Sequence, residues 1–151
     1  MQNPAPQISP QFKQMLVKTI PFVERAGMTV EEMEPRRAVG KMPIKLNLNH
    51  VQIMYAGSLF TLAEITGGAM LAATFDLSKY RLVVKSFNIE FKKPVKTDAL
   101  CEIAFPEEEV ERIKKILDTE GRSDFTVKGV IRDMNGVEAA FSTAVYNAKK
   151  I

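Results

Sequence analysis

Apolar residues recur at helical spacing in three segments of the chain, residues 10–27, 56–75 and 106–121. The first segment opens with Ser9 and Pro10, which are typical of a helix start, and Pro21 is expected to end or kink the helix. In the second segment the apolar residues lie on more than one face, which predicts a helix surrounded by protein. The third segment has Pro106 at the expected helix start, and the three glutamates that follow suit the first turn of a surface helix.

Alternating apolar and polar residues predict six β-strands between and after these helices. Residues 28–33 and 38–46 are expected to form a hairpin with Pro35 at its turn. A third strand begins at Tyr80, and residues 99–105 form a fourth.

The third strand is expected to end before Pro94, because proline cannot continue the hydrogen-bonded ladder. The last two strands form a long hairpin within residues 124–148. Asn135 and Gly136 are expected to supply the positive φ angles of its tight turn.

The predicted order of elements is a helix, two strands, a long buried helix, and four strands with one helix interposed. One antiparallel sheet wrapped around the long central helix satisfies this order. We therefore expect a single α+β domain over residues 1–151, with residues 1–9 as a flexible N-terminal segment. A sheet of this size leaves an unpaired edge, which favours pairing with a second copy of the chain.

Composition narrows the class of protein. The 151 residues carry 21 Lys and Arg against 18 Asp and Glu, and the net charge of +3 argues against a nucleic-acid partner. Cys101 is the only cysteine, so no internal disulfide or cysteine metal site is expected, and a reducing cytoplasm is the expected location. The longest apolar run is interrupted by Glu64, Gly67 and Gly68, and we expect no membrane span.

Glu64 is the residue that suggests chemistry, because an unpaired carboxylate within an apolar helix is costly. Gly57 lies two helical turns earlier on the same face, near the helix N-terminus, where unpaired backbone N–H groups can hydrogen-bond a developing oxyanion. Glu64 can act as a general base on water or as a direct nucleophile. Asn49, in the preceding loop, can position the water or the carbonyl.

Ordinary structural explanations exist for the same residues. A glutamate within a helix is most often exposed or paired with a cation, and Gly57 can be only a helix-start glycine. For Gly67 and Gly68 we favour close packing of the helix on the sheet, because a mid-helix glycine is destabilising unless something approaches closely. Cys101 is expected to be a small buried apolar residue.

The segment "NHVQIMYAGSLFTLAE", residues 49–64, resembles the signature of hotdog-fold acyl-CoA thioesterases, in which an Asn precedes a His-Gly-Gly that an acidic residue follows. The match places Asn49 on the family Asn, Tyr55-Ala56-Gly57 on the His-Gly-Gly and Glu64 on the family carboxylate. "SFNIEFKKPVKTDALCEI" is similar to the strand, proline and strand that follow the helix in this family. The chain departs from the signature at Tyr55 and Ala56, and it resembles most a branch of small bacterial thioesterases.

This resemblance implies a hotdog fold, an antiparallel β-sheet wrapped around a long central α-helix, and hydrolysis of an acyl-CoA by a homodimer or homotetramer. The site would lie at the dimer interface, with Glu64 as base or nucleophile, the Gly57 N–H polarising the carbonyl and Asn49 positioning. Residues expected to contact the substrate are Tyr55, His50, Ala56, Ser58, Lys92 and Lys93, the two lysines as candidates for the phosphates. No metal or separate cofactor is implied, since coenzyme A belongs to the substrate.

Two other functions remain open on the same residues. Tyr55 in place of the family His is compatible with a module that binds acyl-CoA or an acyl-carrier thioester without hydrolysing it. A dehydratase or hydratase would use a His together with an acid, and the only histidine is His50, in a loop that lacks the sequence typical of those enzymes. No motif in the chain identifies the acyl group.

Overall fold

The computed structural model describes residues 8–151, which form a six-stranded antiparallel sheet and four helices. The helices are α1 (Pro10–Lys18), α2 (Pro21–Ala26), α3 (Ala56–Thr74) and α4 (Glu107–Glu120). The strands are β1 (Thr29–Glu34), β2 (Arg37–Met42), β3 (Tyr80–Phe91), β4 (Ala99–Ala104), β5 (Arg122–Asp133) and β6 (Glu138–Lys150). Their order in the sheet is β1-β2-β4-β5-β6-β3. The predicted α+β class and order of elements are confirmed.

Sequence signals set the helix ends as expected. Of the predicted flexible segment 1–9, residues 1–7 lie outside the described residues, whereas the Ser9 side chain caps α1 by accepting a hydrogen bond from the Phe12 N–H at 3.2 Å. Pro21 starts α2 and so divides the first segment into two helices. Gly27 and Gly121 end α2 and α4 with φ angles of 76° and 77°, which glycine adopts readily.

The central helix α3 has buried residues around most of its circumference, including Leu62 and Met70, which are fully buried. The sheet therefore has to wrap around it to keep these side chains from water. By length and composition alone α3 is long and apolar enough to cross a membrane, although Glu64, Gly67 and Gly68 interrupt its apolar run. Most of α3 is buried within the fold, as in the core helix of a soluble protein.

Gly40 on β2 lets α3 lie close to the sheet. A Cβ atom added at Gly40 would overlap the Thr66 hydroxyl and would lie 2.8 Å from the terminal methyl group of Met28. Only a residue without a side chain fits between β2 and α3 at this point, because protein interiors leave no spare volume.

A β-bulge after Val84 changes which residues of β3 face the core. Leu82 before the bulge and Phe87 after it both pack against the core, although strict alternation would place them on opposite faces. Lys85 instead forms an ion pair with Asp124 at 2.6 Å. The bulge therefore keeps both halves of this long edge strand against α3.

Two predicted details are wrong. β2 ends at Met42 rather than near residue 46, because Pro43 has no N–H to continue the ladder. At the last hairpin only Gly136 has a positive φ, of 82°, among the turn residues. The Asn135 N–H instead donates to the Asp133 side chain at 2.9 Å, which closes the turn without a left-handed Asn.

We expect Gly40→Ala to lower the free energy of unfolding by about 1–3 kcal/mol, because the added methyl group has no room between β2 and α3. The matched change Gly68→Ala adds the same group to α3 where nothing lies within 4 Å. It should raise stability by roughly 0.5–1 kcal/mol, since alanine is the better helix former. Urea unfolding measures both, and a Gly40→Ala variant as stable as the wild type would contradict the close contact of α3 with β2.

Candidate active site

Glu64 lies in the middle of α3 and is only partly accessible to water. No residue between 8 and 151 forms an ion pair or a hydrogen bond with its carboxylate, and burial raises its pKa above the ordinary value for a glutamate. The two ordinary explanations for a helical glutamate, full exposure or a cationic partner, therefore do not apply.

Glu64 opens onto a groove of about 550 Å³ between α3 and the edge strand β3, which we call the Glu64 groove. Its walls are mainly apolar and include Leu71, Ala72, Leu77, Leu82, Val83 and Val84. Such a lining suits an uncharged chain or ring and excludes much of the water that would otherwise solvate the carboxylate.

The two glycines that follow Glu64 have different surroundings. At Gly67 an added Cβ would lie 3.0 Å from the Tyr146 hydroxyl, so close packing explains this residue as expected. At Gly68, which lines the Glu64 groove, an added Cβ would meet nothing within 4 Å. The packing explanation that we favoured for both is thus wrong for Gly68.

A second pocket, of about 420 Å³, lies at the N-terminus of α3, and we call it the helix-entry pocket. The predicted site residues that line it are Asn49, Ala56, Lys92 and Lys93. The N–H groups of Ala56 and Gly57 have no acceptor within residues 8–151, whereas those of Ser58 and Leu59 bond to the Tyr55 carbonyl at 3.0 and 3.2 Å. Two free donors therefore remain at this helix end, as an oxyanion site requires.

Tyr55, which occupies the position of the family His, covers part of this helix end. Its side chain is 52% exposed and makes no capping hydrogen bond. An added Cβ at Gly57 would lie 2.5 Å from the Tyr55 ring. Gly57 thus makes room for this ring, and a substrate that reaches its N–H must pass beside Tyr55.

Asn49 shapes its own loop. Its side-chain oxygen accepts hydrogen bonds from the Val51 and Ile53 N–H groups at 2.9 and 3.2 Å. Its amide nitrogen has no acceptor in the part of the chain that the structure describes, so a substrate would meet Asn49 only as a donor.

Asn47 anchors the start of α3, and the sequence reasoning missed it. Its buried amide donates to the Ala26 and Pro43 carbonyls at 2.9 and 2.7 Å. Its oxygen accepts from the Ser58 hydroxyl at 2.8 Å. Ser58 was expected to contact the substrate, but its buried hydroxyl is used in this network. A polar residue flanked by Leu46 and Leu48 was the available signal.

The remaining predicted residues lie in simpler surroundings. His50 is exposed in the loop before α3. Lys92 forms an ion pair with Glu90 at 3.0 Å. Lys92 and Lys93 are both exposed. Cys101 is fully buried, as expected, and burial raises the pKa of its thiol to about 12, which makes it unreactive.

One chain does not bring Gly57 and Glu64 together. They lie seven residues apart on α3, which corresponds to about 10 Å along the helix axis. Glu64 faces the Glu64 groove, and the free N–H groups lie beside the helix-entry pocket. A single thioester carbonyl cannot contact both within one chain.

Tyr146 on β6 is a further residue that the sequence reasoning missed. It lines the Glu64 groove, and its hydroxyl is buried without a hydrogen-bond partner. The signal was its place between Ala144 and Ala148 on the inward face of β6, since these small residues leave room for a large side chain.

Residues 9–148 match the profile of a family described as "Putative thioesterase (yiiD_Cterm)". The chain belongs to this family. Membership supports a hydrolase that acts on thioesters. No curated protein sequence matches the chain.

Solved structures of thioesterases have the same fold. The chain is 29% identical to a probable thioesterase of unknown function from Pseudomonas aeruginosa, with a TM-score of 0.91 over 96% of this chain and 98% of that one. It is 11% identical to a thioesterase from Haemophilus influenzae, with a TM-score of 0.76 over 97% and 94%. It is also 11% identical to a mutant thioesterase from Pseudomonas aeruginosa, with a TM-score of 0.74 over 99% of this chain and 100% of that one. The predicted hotdog fold is confirmed.

Glu64→Gln should stabilise this thioesterase-family protein at neutral pH. Between the ordinary pKa and the raised pKa of Glu64 the folded state holds more protons than the unfolded state, so stability falls as pH rises through this window and stays reduced above it. Glutamine cannot ionise and avoids this loss. We expect a higher Tm for the variant at pH 7 and a difference that shrinks below about pH 4.

The matched control is Glu109→Gln on the surface of α4, where a hydrogen bond from Arg112 lowers the pKa of Glu109. This change should not stabilise the protein at pH 7, because the sign of the shift is opposite. Equal or lower stability of Glu64→Gln at pH 7 would mean that the folded protein does not raise the pKa of Glu64.

Proposed function

We propose that this protein is an acyl-CoA thioesterase, which hydrolyses an acyl thioester to a carboxylate and free coenzyme A. The observation that carries the proposal is Glu64, a carboxylate without a counterion that faces an apolar groove in a chain of a thioesterase family. A carboxylate whose pKa is raised toward neutrality takes a proton from water more readily.

In the general-base route Glu64 removes a proton from water, and the water oxygen attacks the thioester carbon. The resulting oxyanion accepts a hydrogen bond from the Gly57 N–H, and loss of one such donor typically costs on the order of 100-fold in rate. The carbon–sulfur bond then breaks, and the proton held by Glu64 passes to the coenzyme sulfur. In the alternative route the Glu64 carboxylate attacks the thioester carbon, the carbon–sulfur bond breaks, and the coenzyme thiolate leaves and takes a proton from water. Water then hydrolyses the mixed anhydride, which frees the carboxylate product and restores Glu64.

A second copy of the chain completes this site. The separation of about 10 Å between Gly57 and Glu64 is too large for one carbonyl, which has to lie within about 3 Å of each acting group. In a two-fold dimer with antiparallel α3 helices, Gly57 of one copy lies beside Glu64 of the other. The substrate then lies between the helix-entry pocket of one copy and the Glu64 groove of the other.

The edge strand β3 supports this dimer. Within residues 8–151 it pairs only with β6, so its other edge keeps unpaired N–H and C=O groups. Apolar side chains beside that edge are also exposed: Val83 by 51%, Phe91 by 48% and Phe60 on α3 by 39%. A long edge flanked by exposed apolar residues is the kind of surface that a second copy covers.

The coenzyme phosphates are placed at the two lysines of the helix-entry pocket, not at the α3 N-terminus that binds the oxyanion. Lys92 and Lys93 are exposed, so they can pair with phosphates that lie outside the pocket, at the other end of the pantetheine arm from the thioester. Lys92 is already paired with Glu90, so Lys93 is the stronger candidate of the two. A phosphate contact of this kind suits coenzyme A as the thiol carrier.

The first test is thiol release from acyl-CoAs of short, long and aromatic acyl groups. Glu64→Gln should abolish turnover while the protein stays folded. Gly57→Asp should do the same, because aspartate suits the first helical turn but places a negative charge at the oxyanion donors. Gly57→Ala, which adds a side chain without charge, is the matched control and should retain more activity.

Mixing the two inactive variants tests the shared site. After subunit exchange at equal amounts, half of the dimers contain one of each chain, and one of their two sites has both groups intact. About a quarter of the wild-type activity should therefore return. If the wild type is active but the two variants do not complement each other, the thioesterase proposal stands and the proposal of a shared site is wrong. A wild type that binds acyl-CoA without releasing thiol would favour the binding module.

Lys93→Ala should raise KM for acyl-CoA several-fold and leave kcat nearly unchanged, because a phosphate contact is made equally in the ground and transition states. Lys92→Ala should have a smaller effect, since Glu90 already pairs with it. Steady-state kinetics measure both. An unchanged KM in the Lys92→Ala/Lys93→Ala double variant would remove the two lysines from the phosphate site.

A further inference from the structure

The Tyr146 hydroxyl is a buried polar atom without a partner. Tyr146 is 4% exposed, and its hydroxyl is the only buried side-chain oxygen or nitrogen without a hydrogen bond among residues 8–151. Folded proteins rarely leave such an atom unsatisfied, because removing it from water is unfavourable. A partner that reaches this hydroxyl in the working protein would account for it.

Packing fixes the hydroxyl beside α3. The Tyr146 ring stacks on Phe125 with centroids 5.9 Å apart and an interplanar angle of 16°. The hydroxyl faces Gly67, where an added Cβ would lie 3.0 Å from it. Glu64 precedes Gly67 by about one helical turn and lines the same groove as Tyr146, so its carboxylate is a flexible acceptor on the same side of α3.

The two glycines keep the space between Glu64 and Tyr146 open. Helical side chains lean toward the helix N-terminus, so a side chain at Gly67 or Gly68 would cover the turn that carries Glu64. At Gly68 no packing contact requires a glycine, because nothing lies within 4 Å of an added Cβ. An open approach from Glu64 toward the buried hydroxyl explains Gly68, and the glycine that packing requires at position 67 leaves the same approach open.

We propose that Tyr146 is the positioning residue of Glu64: its hydroxyl donates a hydrogen bond to the ionised carboxylate and holds it in the reactive orientation. The inference rests on the proposed role of Glu64 as base or nucleophile. The flexible Glu64 side chain would have to bend back toward Gly67 to reach the hydroxyl, and the missing side chains of Gly67 and Gly68 leave space for this rotamer. Burial, and then the charge of Glu64, raise the pKa of Tyr146 to about 12, so the phenol remains a donor at working pH.

This hydrogen bond has an electrostatic consequence. A donor to the ionised carboxylate lowers the pKa of Glu64, whereas the apolar groove raises it. The other titratable side chains that line the groove are Tyr80 and Arg81 on β3, and Ile151, the last residue of the sequence, lines it as well. Without the Tyr146 hydroxyl, no donor would offset the effect of burial on the pKa of Glu64. The Glu64 carboxyl should therefore titrate at higher pH.

The test is Tyr146→Phe, which keeps the ring and removes the hydroxyl. Carbon-13 NMR of the glutamate carboxyl groups, with Glu64→Gln to assign the signal, should show the Glu64 pKa higher by about one pH unit or more. The acid limb of the kcat/KM profile should move by the same amount. Tyr80→Phe removes a hydroxyl from the same groove, away from Gly67, and should leave the Glu64 titration unchanged.

An unchanged Glu64 titration in Tyr146→Phe, together with a higher Tm, would overturn the proposal, because that is the result of deleting a hydroxyl that has no partner. If Tyr146→Phe does not fold, a crystal structure of the wild type at pH 8 decides instead, and a separation above about 3 Å between the hydroxyl and both carboxylate oxygens counts against the hydrogen bond. The NMR titration needs no turnover. Failure of the thioesterase proposal would therefore show in the thiol assay, and failure of the Tyr146 proposal in the titration.

Discussion

The apolar circumference of α3 is the constraint on which the rest of the structure depends. A helix with buried residues on nearly all sides cannot lie on a surface, so the sheet has to curve around it. Close approach is possible because Gly40 has no side chain between β2 and α3. The β-bulge after Val84 also keeps the sheet against the helix, because both halves of the edge strand β3 pack on the core.

Local signals in the sequence predicted the elements well because they act over a few residues. Pro21, Gly27 and Gly121 end or start helices through backbone properties of their own, and these positions are as expected. The bulge in β3 and the turn at Asn135 were not predictable in the same way. The bulge depends on a partner strand and the turn on a side-chain contact in the folded turn. The alternation of apolar and polar residues carries no information about either.

The sequence predicted a candidate site residue only where a charged residue lies among residues that are expected to be buried. Glu64 was identifiable because a carboxylate within an apolar helix requires an explanation, and the structure leaves it without a counterion. Asn47 and Tyr146 were not, because each acquires its meaning from residues distant in the chain: Asn47 from Ala26, and Tyr146 from Gly67. The spacing that put Gly57 and Glu64 on one face was right, but it also places them too far apart for one carbonyl.

Assembly and the electrostatics of Glu64 are linked by the same groove. A second copy that covers the edge of β3 would remove water from the Glu64 groove, and further desolvation raises the pKa of a carboxylate. A glutamate that remained protonated at neutral pH could not accept a proton from water. A closed site would therefore need a donor that favours the ionised form, and the proposed donor is the buried hydroxyl of Tyr146, which lines the same groove. By this argument a dimer that completed the proposed site would also make the proposed Tyr146 hydrogen bond necessary.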